Sequence, residues 1–431
     1  MENFVHSIWS MIPFGLMLLA IAIGPIKAEK YWESNLNKLI VVLLLSIPTA
    51  ICLIGGGLGH ELYHQVFNDY LPFIVLLGAL FIITGGIHLE GDIKAKPWVN
   101  TLFLGIGWLL ASIMGTTGAA MLLIRPLIAT NQQREHKVHT ILFFIALVAN
   151  CGGLLTPLGD PPLFMLFLRG APFVWFLNLI PEWLTTGAIL LLLYFVIDTY
   201  FYKKEHWTSL SADAREFSPL RLYGSVNFIY LIGVVLSVAF INGSYIPAME
   251  VTDAPIWLVH LREIVLLLLT GLSLLTTTRE VRFKKNKFSW MPITEVAILF
   301  LGIFVTMTPA LEFLRQNPLP ITEAWQFVYC TGALSAFLDN APTAMVFHAT
   351  ASTLPIDTAA VAGIAPMFMK AISLGAVFFG ALTYIGNGPN FMVKSIAEQE
   401  GIKMPSFFGY MIKFSLIVLL PIYIIVQLIF I

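Results

Sequence analysis

The stretch GGLLTPLGDPPLFM, residues 152–165, decides how the whole chain is read. It lies inside a long apolar segment, yet Asp160 is followed directly by Pro161 and Pro162. Neither proline suits a helix interior, because each removes a hydrogen bond and crowds the preceding turn. A carboxylate at bilayer depth costs at least roughly 2.5–3.5 kcal/mol on insertion scales. The combination describes a helix interrupted where a polar group has work to do.

The rest of the chain supplies the bilayer. Of 431 residues, 58% are hydrophobic and 11% charged, against about 25% charged in a soluble domain. Runs of roughly 20 apolar residues recur throughout, each long enough to cross a membrane as a helix. No basic stripe or stacking platform is present, so nucleic acid is excluded as a partner. The first run, 8–26, lacks a basic leader and a small-residue cleavage site and reads as a retained span. Cys52, Cys151 and Cys330 all lie in apolar segments, so neither a disulfide framework nor a cysteine zinc site is indicated. No cofactor is expected.

Ten spans are expected, at 8–26, 38–58, 71–89, 138–169, 183–202, 223–242, 262–278, 292–314, 363–394 and 406–431. The apolar segments 98–130 and 324–351 are interrupted midway, by SIMGTTGAAM and SAFLDNAPTAM. Each half is roughly 15 residues, too short to span comfortably, and suits a re-entrant hairpin that returns to the side it entered. Basic residues test this, because cytoplasmic loops are enriched in Lys and Arg. Eighteen of the 24 fall on one side if both hairpins are re-entrant, among them Lys94, Lys137, Arg215, Lys284 and Lys403. Counting either hairpin as one crossing destroys that pattern. The fold expected is therefore an all-α polytopic membrane protein of ten helices and two hairpins with both termini outside.

Residues 153–165, GLLTPLGDPPLFM, align with 380–392, GALTYIGNGPNFM, at a constant offset of 227 with seven of thirteen positions identical. By the loop charges the two halves, 1–210 and 211–431, run in opposite directions. Inverted repeats with interrupted helices are the build of secondary transporters, since irregular backbone at membrane depth survives only when buried in protein or lining a wet cavity.

Asp160 at the first break and Asp339 in the second hairpin, DNAPT, are the leading candidates for cation or proton binding. Either could instead be a helix cap. The partner of Asp160 in the second half is Asn387, followed by Gly388, Pro389 and Asn390. Asn150, Asn340, Thr116, Thr117, Thr156 and Thr383 add amide and hydroxyl oxygens, hard ligands suited to Na⁺, Li⁺ or a proton. Pro161, Pro162, Pro342, Gly388 and Pro389 are read as the structural breaks. Arg169, Asp198 and Lys370 lie near span ends, where snorkelling accounts for them. The segment 60–64, HELYH, matches a zinc-protease signature; it is placed in an external loop with no evident third ligand.

The segments ANCGGLLTPLGDPP (149–162), DNAPTAM (339–345) and IGNGPNFM (385–392) resemble the ion transporter superfamily, nearest to NhaD-type sodium/proton antiporters and related citrate transporters. The resemblance covers nearly the whole chain. It implies a homodimer in the bacterial inner membrane, with hairpins and broken helices forming a mobile elevator domain. Carried over by motif, Asp160 and Asp339 become the cation and proton carboxylates, with Asn150 and Asn340 beside them. Dicarboxylate-transporting relatives carry a Ser-Asn-Thr signature at the first hairpin tip, where this chain has GTTG at 115–118. The function expected is exchange of Na⁺ or Li⁺ for protons; the alternatives are a cation-coupled citrate or dicarboxylate carrier and, more remotely, a zinc intramembrane protease.

Overall fold

A computed structural model describes residues 7–206, 219–249, 251, 254–356 and 359–431. Arg215 and the expected boundary between halves at 210/211 lie outside the described residues. Helices occupy every segment expected to span. They are α1 (Ile12–Lys27), α2 (Asn35–Gly55), α3 (Gly59–Thr84), α4 (Pro97–Met114) and α5 (Thr116–Thr130). Then follow α6 (Val138–Leu147), α7 (Pro161–Leu168), α8 (Ile180–Tyr202), α9 (Val226–Phe240) and α10 (Leu261–Thr276). The chain ends with α11 (Met291–Gln316), α12 (Ala324–Ser335), α13 (Asn340–Ala351), α14 (Pro366–Phe379), α15 (Gly388–Gln399) and α16 (Phe407–Phe430). Among the described residues eight helical stretches are long and apolar enough to cross a membrane, not ten: the helices in the expected spans 223–242, 262–278 and 363–394 fall short of that length, and α4, expected as a hairpin arm too short to span, is one of the eight. The protein is an all-α, multi-spanning membrane protein.

Two local outcomes differ from the sequence reading. The third span starts at Gly59, so HELYH is helical and not a loop. A π turn over Gln65–Tyr70 lets this helix run on into Pro72, since the wider turn absorbs the clash and missing N–H of a proline. At its other end the helix stops at Thr84, before Gly85 and Gly86, and His88–Glu90 forms β1. That strand pairs antiparallel with β2 (Arg221–Tyr223), a short ribbon that an all-α reading did not include. Arg282 fastens this end of the molecule. Its guanidinium is buried, donating to Ile82 O, Ser273 O and Ser273 Oγ, so one side chain satisfies the C-terminal carbonyls of both α3 and α10.

The two interrupted helices have the same backbone. After α6 a 3₁₀ turn (Cys151–Leu155) leads to Asp160 at φ −147°, ψ 142°, which begins α7. After α14 a 3₁₀ turn (Gly380–Leu382) leads to Asn387 at φ −149°, ψ 140°, which begins α15. The prolines are not kinks. Pro161, Pro162 and Pro389 occupy the first turn of the new helix, where a missing N–H costs nothing. Each break closes on a pair of glycines: a Cβ on Gly159 would overlap Gly153 O, and one on Gly386 would stand 2.6 Å from Gly380 O. Gly159→Ala is expected to cost roughly 3 kcal/mol of stability, the upper end for overpacking. Gly271→Ala, in open space on α10, should be neutral or stabilising by up to about 1 kcal/mol. Thermal melts of the two variants in one detergent check the contrast.

The hairpins lock onto these breaks by matching bonds. In the first, α4 and α5 are joined by Gly115 alone, at φ 80°, ψ 151°, a conformation open to glycine. Thr156 Oγ1 donates to Ser112 O and Thr116 N–H to Gly159 O at 2.9 Å. In the second hairpin, α12 and α13, Thr383 Oγ1 donates to Ala336 O. Positions 227 residues apart also touch each other. Tyr70 OH donates to Ala297 O at 2.9 Å, the rings of Phe73 and Phe300 lie 4.7 Å apart, and Asn387 Nδ2 donates to Asp160 Oδ1 at 3.0 Å.

Candidate ion-binding site

Asp160 and Asn387 each stand at the N-cap of a helix, yet neither side chain caps it. Their extended backbone turns both side chains away from their own helices and toward each other. Asp160, 1% exposed, accepts three bonds. Thr116 Oγ1 and Asn387 Nδ2 donate to its Oδ1, both at 3.0 Å, and Asn340 Nδ2 donates to its Oδ2 at 2.6 Å. Thr116 and Asn340 are the first residues of α5 and α13, so the starts of two helices and both breaks meet on one carboxylate.

Asp339 behaves differently. It is half-buried, and its Oδ1 accepts from Ala341 N–H at 3.0 Å, the capping role that the sequence left open. It is the chain neighbour of Asn340, whose Nδ2 donates to Asp160. Asn150 stands one step back. Its Oδ1 accepts from Asn387 Nδ2 at 3.3 Å, and its Nδ2 donates to Asn390 Oδ1 at 2.7 Å and Ile145 O at 2.8 Å.

The remaining predicted ligands brace the scaffold of the site. Asn390 donates to Gly380 O and Thr383 O, which holds the second break closed. The hydroxyls of Thr156 and Thr383 are used by the hairpin locks described above, and each also accepts a backbone N–H from the turn that follows it. Thr117 is not among the residues that donate to Asp160. It is exposed and lines, with Gly159, Pro161, Leu80 and Val296, a cavity of about 100 Å³ between the first tip and helices α3 and α11. Pro342 is buried in the first turn of α13.

Four helix N-termini, those of α5, α7, α13 and α15, converge here. Each end carries roughly half a positive charge, so together they offset about two carboxylates. Among the described residues no Lys, Arg or His donates to Asp160 or Asp339. The site is thus close to neutral when empty, rich in hydrogen-bond donors, and gains net positive charge only when a cation or proton joins it.

Several charges assigned to snorkelling are instead buried pairs. Arg169 donates to Asp69 Oδ2 at 2.7 Å and to Gln65, tying the end of α7 to α3. Asp198 is fully buried between Arg134 at 2.7 Å and His139 at 2.8 Å. Lys370 pairs with buried Glu182 at 2.5 Å. Buried charges need such partners because desolvation is costly, but partners 59 to 188 residues apart in the chain are invisible before folding. In HELYH, His60 is exposed and His64 Nδ1 lies 3.9 Å from Asp69. No group of three or more His, Cys, Asp or Glu is placed to hold a metal ion among the described residues.

No curated protein matches the chain. A sequence profile described as "Putative citrate transport" matches residues 3–431. A multi-spanning architecture with two interrupted helices, meeting at a donor-rich carboxylate site, agrees with that description, and the chain belongs to this citrate-transporter-like family within the ion transporter superfamily.

Proposed function

We propose that the protein is a cation-coupled carrier of citrate or a related carboxylate, in which Asp160, with Asp339 nearby, holds the coupling Na⁺, Li⁺ or proton. The observation that carries this is the charge balance of the site. Two carboxylates against four helix N-termini leave no net attraction for an anion until a cation arrives. Binding of the cation then favours the carboxylate, which is coupling expressed as a linkage between two ligands. The GTTG tip has no amide donor; the amides of Asn340 and Asn387 reach the site from the second half and are aimed at Asp160. The cavity beside Thr116 and Thr117 lies where a substrate would approach.

Alternating access is supported by the matched breaks, the matched hairpin locks and the three self-contacts at offset 227. Contact between equivalent positions is what a pseudo-twofold axis would produce, and it supports reading 1–210 and 211–431 as inverted repeats with re-entrant hairpins. In this reading the hairpins with α6–α7 and α14–α15 move as one body in an elevator motion, in a homodimer of a bacterial inner membrane.

A second reading, Na⁺ or Li⁺ exchanged for protons as in NhaD-type antiporters, is favoured by one observation. Asp160 is held by neutral donors alone, so nothing at the site replaces a lost cation except a proton. Proteoliposomes separate the two. Radiolabelled citrate should accumulate only with an inward Na⁺ or proton gradient. Proton movement driven by Na⁺ or Li⁺ with no organic anion present, read by a trapped pH dye, would replace the carrier reading with the exchanger.

A further inference from the structure

We propose that the segment joining α10 to α11 is a docking surface for anionic phospholipid headgroups, with Arg279, Lys284 and Lys287 as the contacting cations. The segment carries five basic residues, of which two serve the fold. Arg282 is turned inward onto backbone carbonyls, and Lys285 is held by Glu90 at 2.6 Å and the Tyr223 ring at 3.7 Å. Arg279, Lys284 and Lys287 are exposed and, among the described residues, make no ion pair. Glu280 is the one exposed carboxylate among residues 279–290, so the surface is net positive.

Lys287 supplies the independent observation. It adopts φ 49°, the left-handed region where glycine is the default. The reversal is needed because Phe288 must turn inside: it is 6% exposed, packs 5.3 Å from Phe81, and its N–H returns to Arg282 O at 3.0 Å. Glycine would make the same turn without strain, so a lysine kept there points to a use for its charge. The aromatic rings alongside indicate which anion. Trp290, at the N-terminus of the membrane-spanning helix α11, and Phe283, in the turn Glu280–Lys285 before it, are 46% and 44% exposed, and aromatic belts meet headgroups at such helix ends. A phospholipid satisfies cations and rings together; a free phosphate satisfies the cations alone.

Each basic residue at an anionic leaflet is worth about fivefold in binding. The full chain in detergent, titrated with short-chain phosphatidylglycerol and followed by thermal shift, should therefore lose about fivefold in affinity on Lys287→Gly. Its melting temperature without lipid should hold or rise, because the strained lysine is gone. The triple variant Arg279→Gln, Lys284→Gln, Lys287→Gln should lose roughly a hundredfold. Phosphatidylcholine binding should not change. Wild-type affinity in Lys287→Gly overturns the proposal, as does an equal shift of the unmodified protein by inorganic phosphate alone, or a parallel loss of phosphatidylcholine binding.

Discussion

Replacing Asp160 by asparagine is expected to abolish cation-coupled transport while leaving the folded chain at least as heat-stable as the parent. The side chains are isosteric: an asparagine oxygen can still accept from Thr116 and Asn387, while its NH2 takes the place of Oδ2 and the Asn340 amide, which donates there in the parent, turns over to accept. What disappears is a charge buried at 1% exposure, whose desolvation works against folding. Transport should fall at least about 100-fold, the upper end of what loss of a supporting metal-site group costs. A ligand present at 100 times its Kd stabilises the folded state by about 2.7 kcal/mol, so the parent should show a sodium-dependent thermal shift that the variant lacks. In the parent this shift should weaken as pH falls, because a proton on Asp160 removes the charge that holds the cation. A sodium shift that survives in Asp160→Asn would sink the assignment. Asp339→Asn is the informative comparison. Asparagine caps a helix as well as aspartate, so its melting temperature should not move, and any transport loss reports a role beyond the cap.

The second large effect concerns Asn387. It touches Asp160 at 3.0 Å from a backbone of the same conformation, so the two positions are interchangeable to first order. Asn387→Asp alone sets two carboxylates against each other, worth about 4 kcal/mol of repulsion at 4 Å and an effective dielectric of 20. The variant should melt earlier than the parent and recover when Na⁺ or Li⁺ is added. The double exchange, Asp160→Asn with Asn387→Asp, restores one carboxylate facing one amide. It should recover transport to within roughly tenfold of the parent, a coupling that only contacting residues show. Full recovery is not expected, because Asn150 Oδ1 now accepts from Asn387 and would face the relocated carboxylate. A double variant as inactive as Asp160→Asn would mean the two halves are not functionally equivalent.

Much of this was legible in the chain alone. Apolar runs, glycine–proline interruptions and the offset of 227 are local or periodic features, and the structure places helices and breaks where they indicate. Asp160 was identifiable because a carboxylate in an apolar run is itself the signal. Asp69 was missed: it sits beside the HELYH segment, read as loop, and only the helical path of α3 buries it against Arg169.

By itself, then, the sequence determined a bilayer-spanning helical chain, two interruptions of one design, and one aspartate that lipid would not tolerate without a reason. Hydrophobicity and backbone preference act along the chain, so they can be read from it. Tertiary structure decided which polar groups face the site. Thr116 bonds to Asp160 while adjacent Thr117 is exposed to the cavity that both threonines line, because α5 starts directly after Gly115. Asp160 is aimed inward while Asp339 caps its helix. Those outcomes depend on how four helix ends are packed together, and no local pattern encodes that.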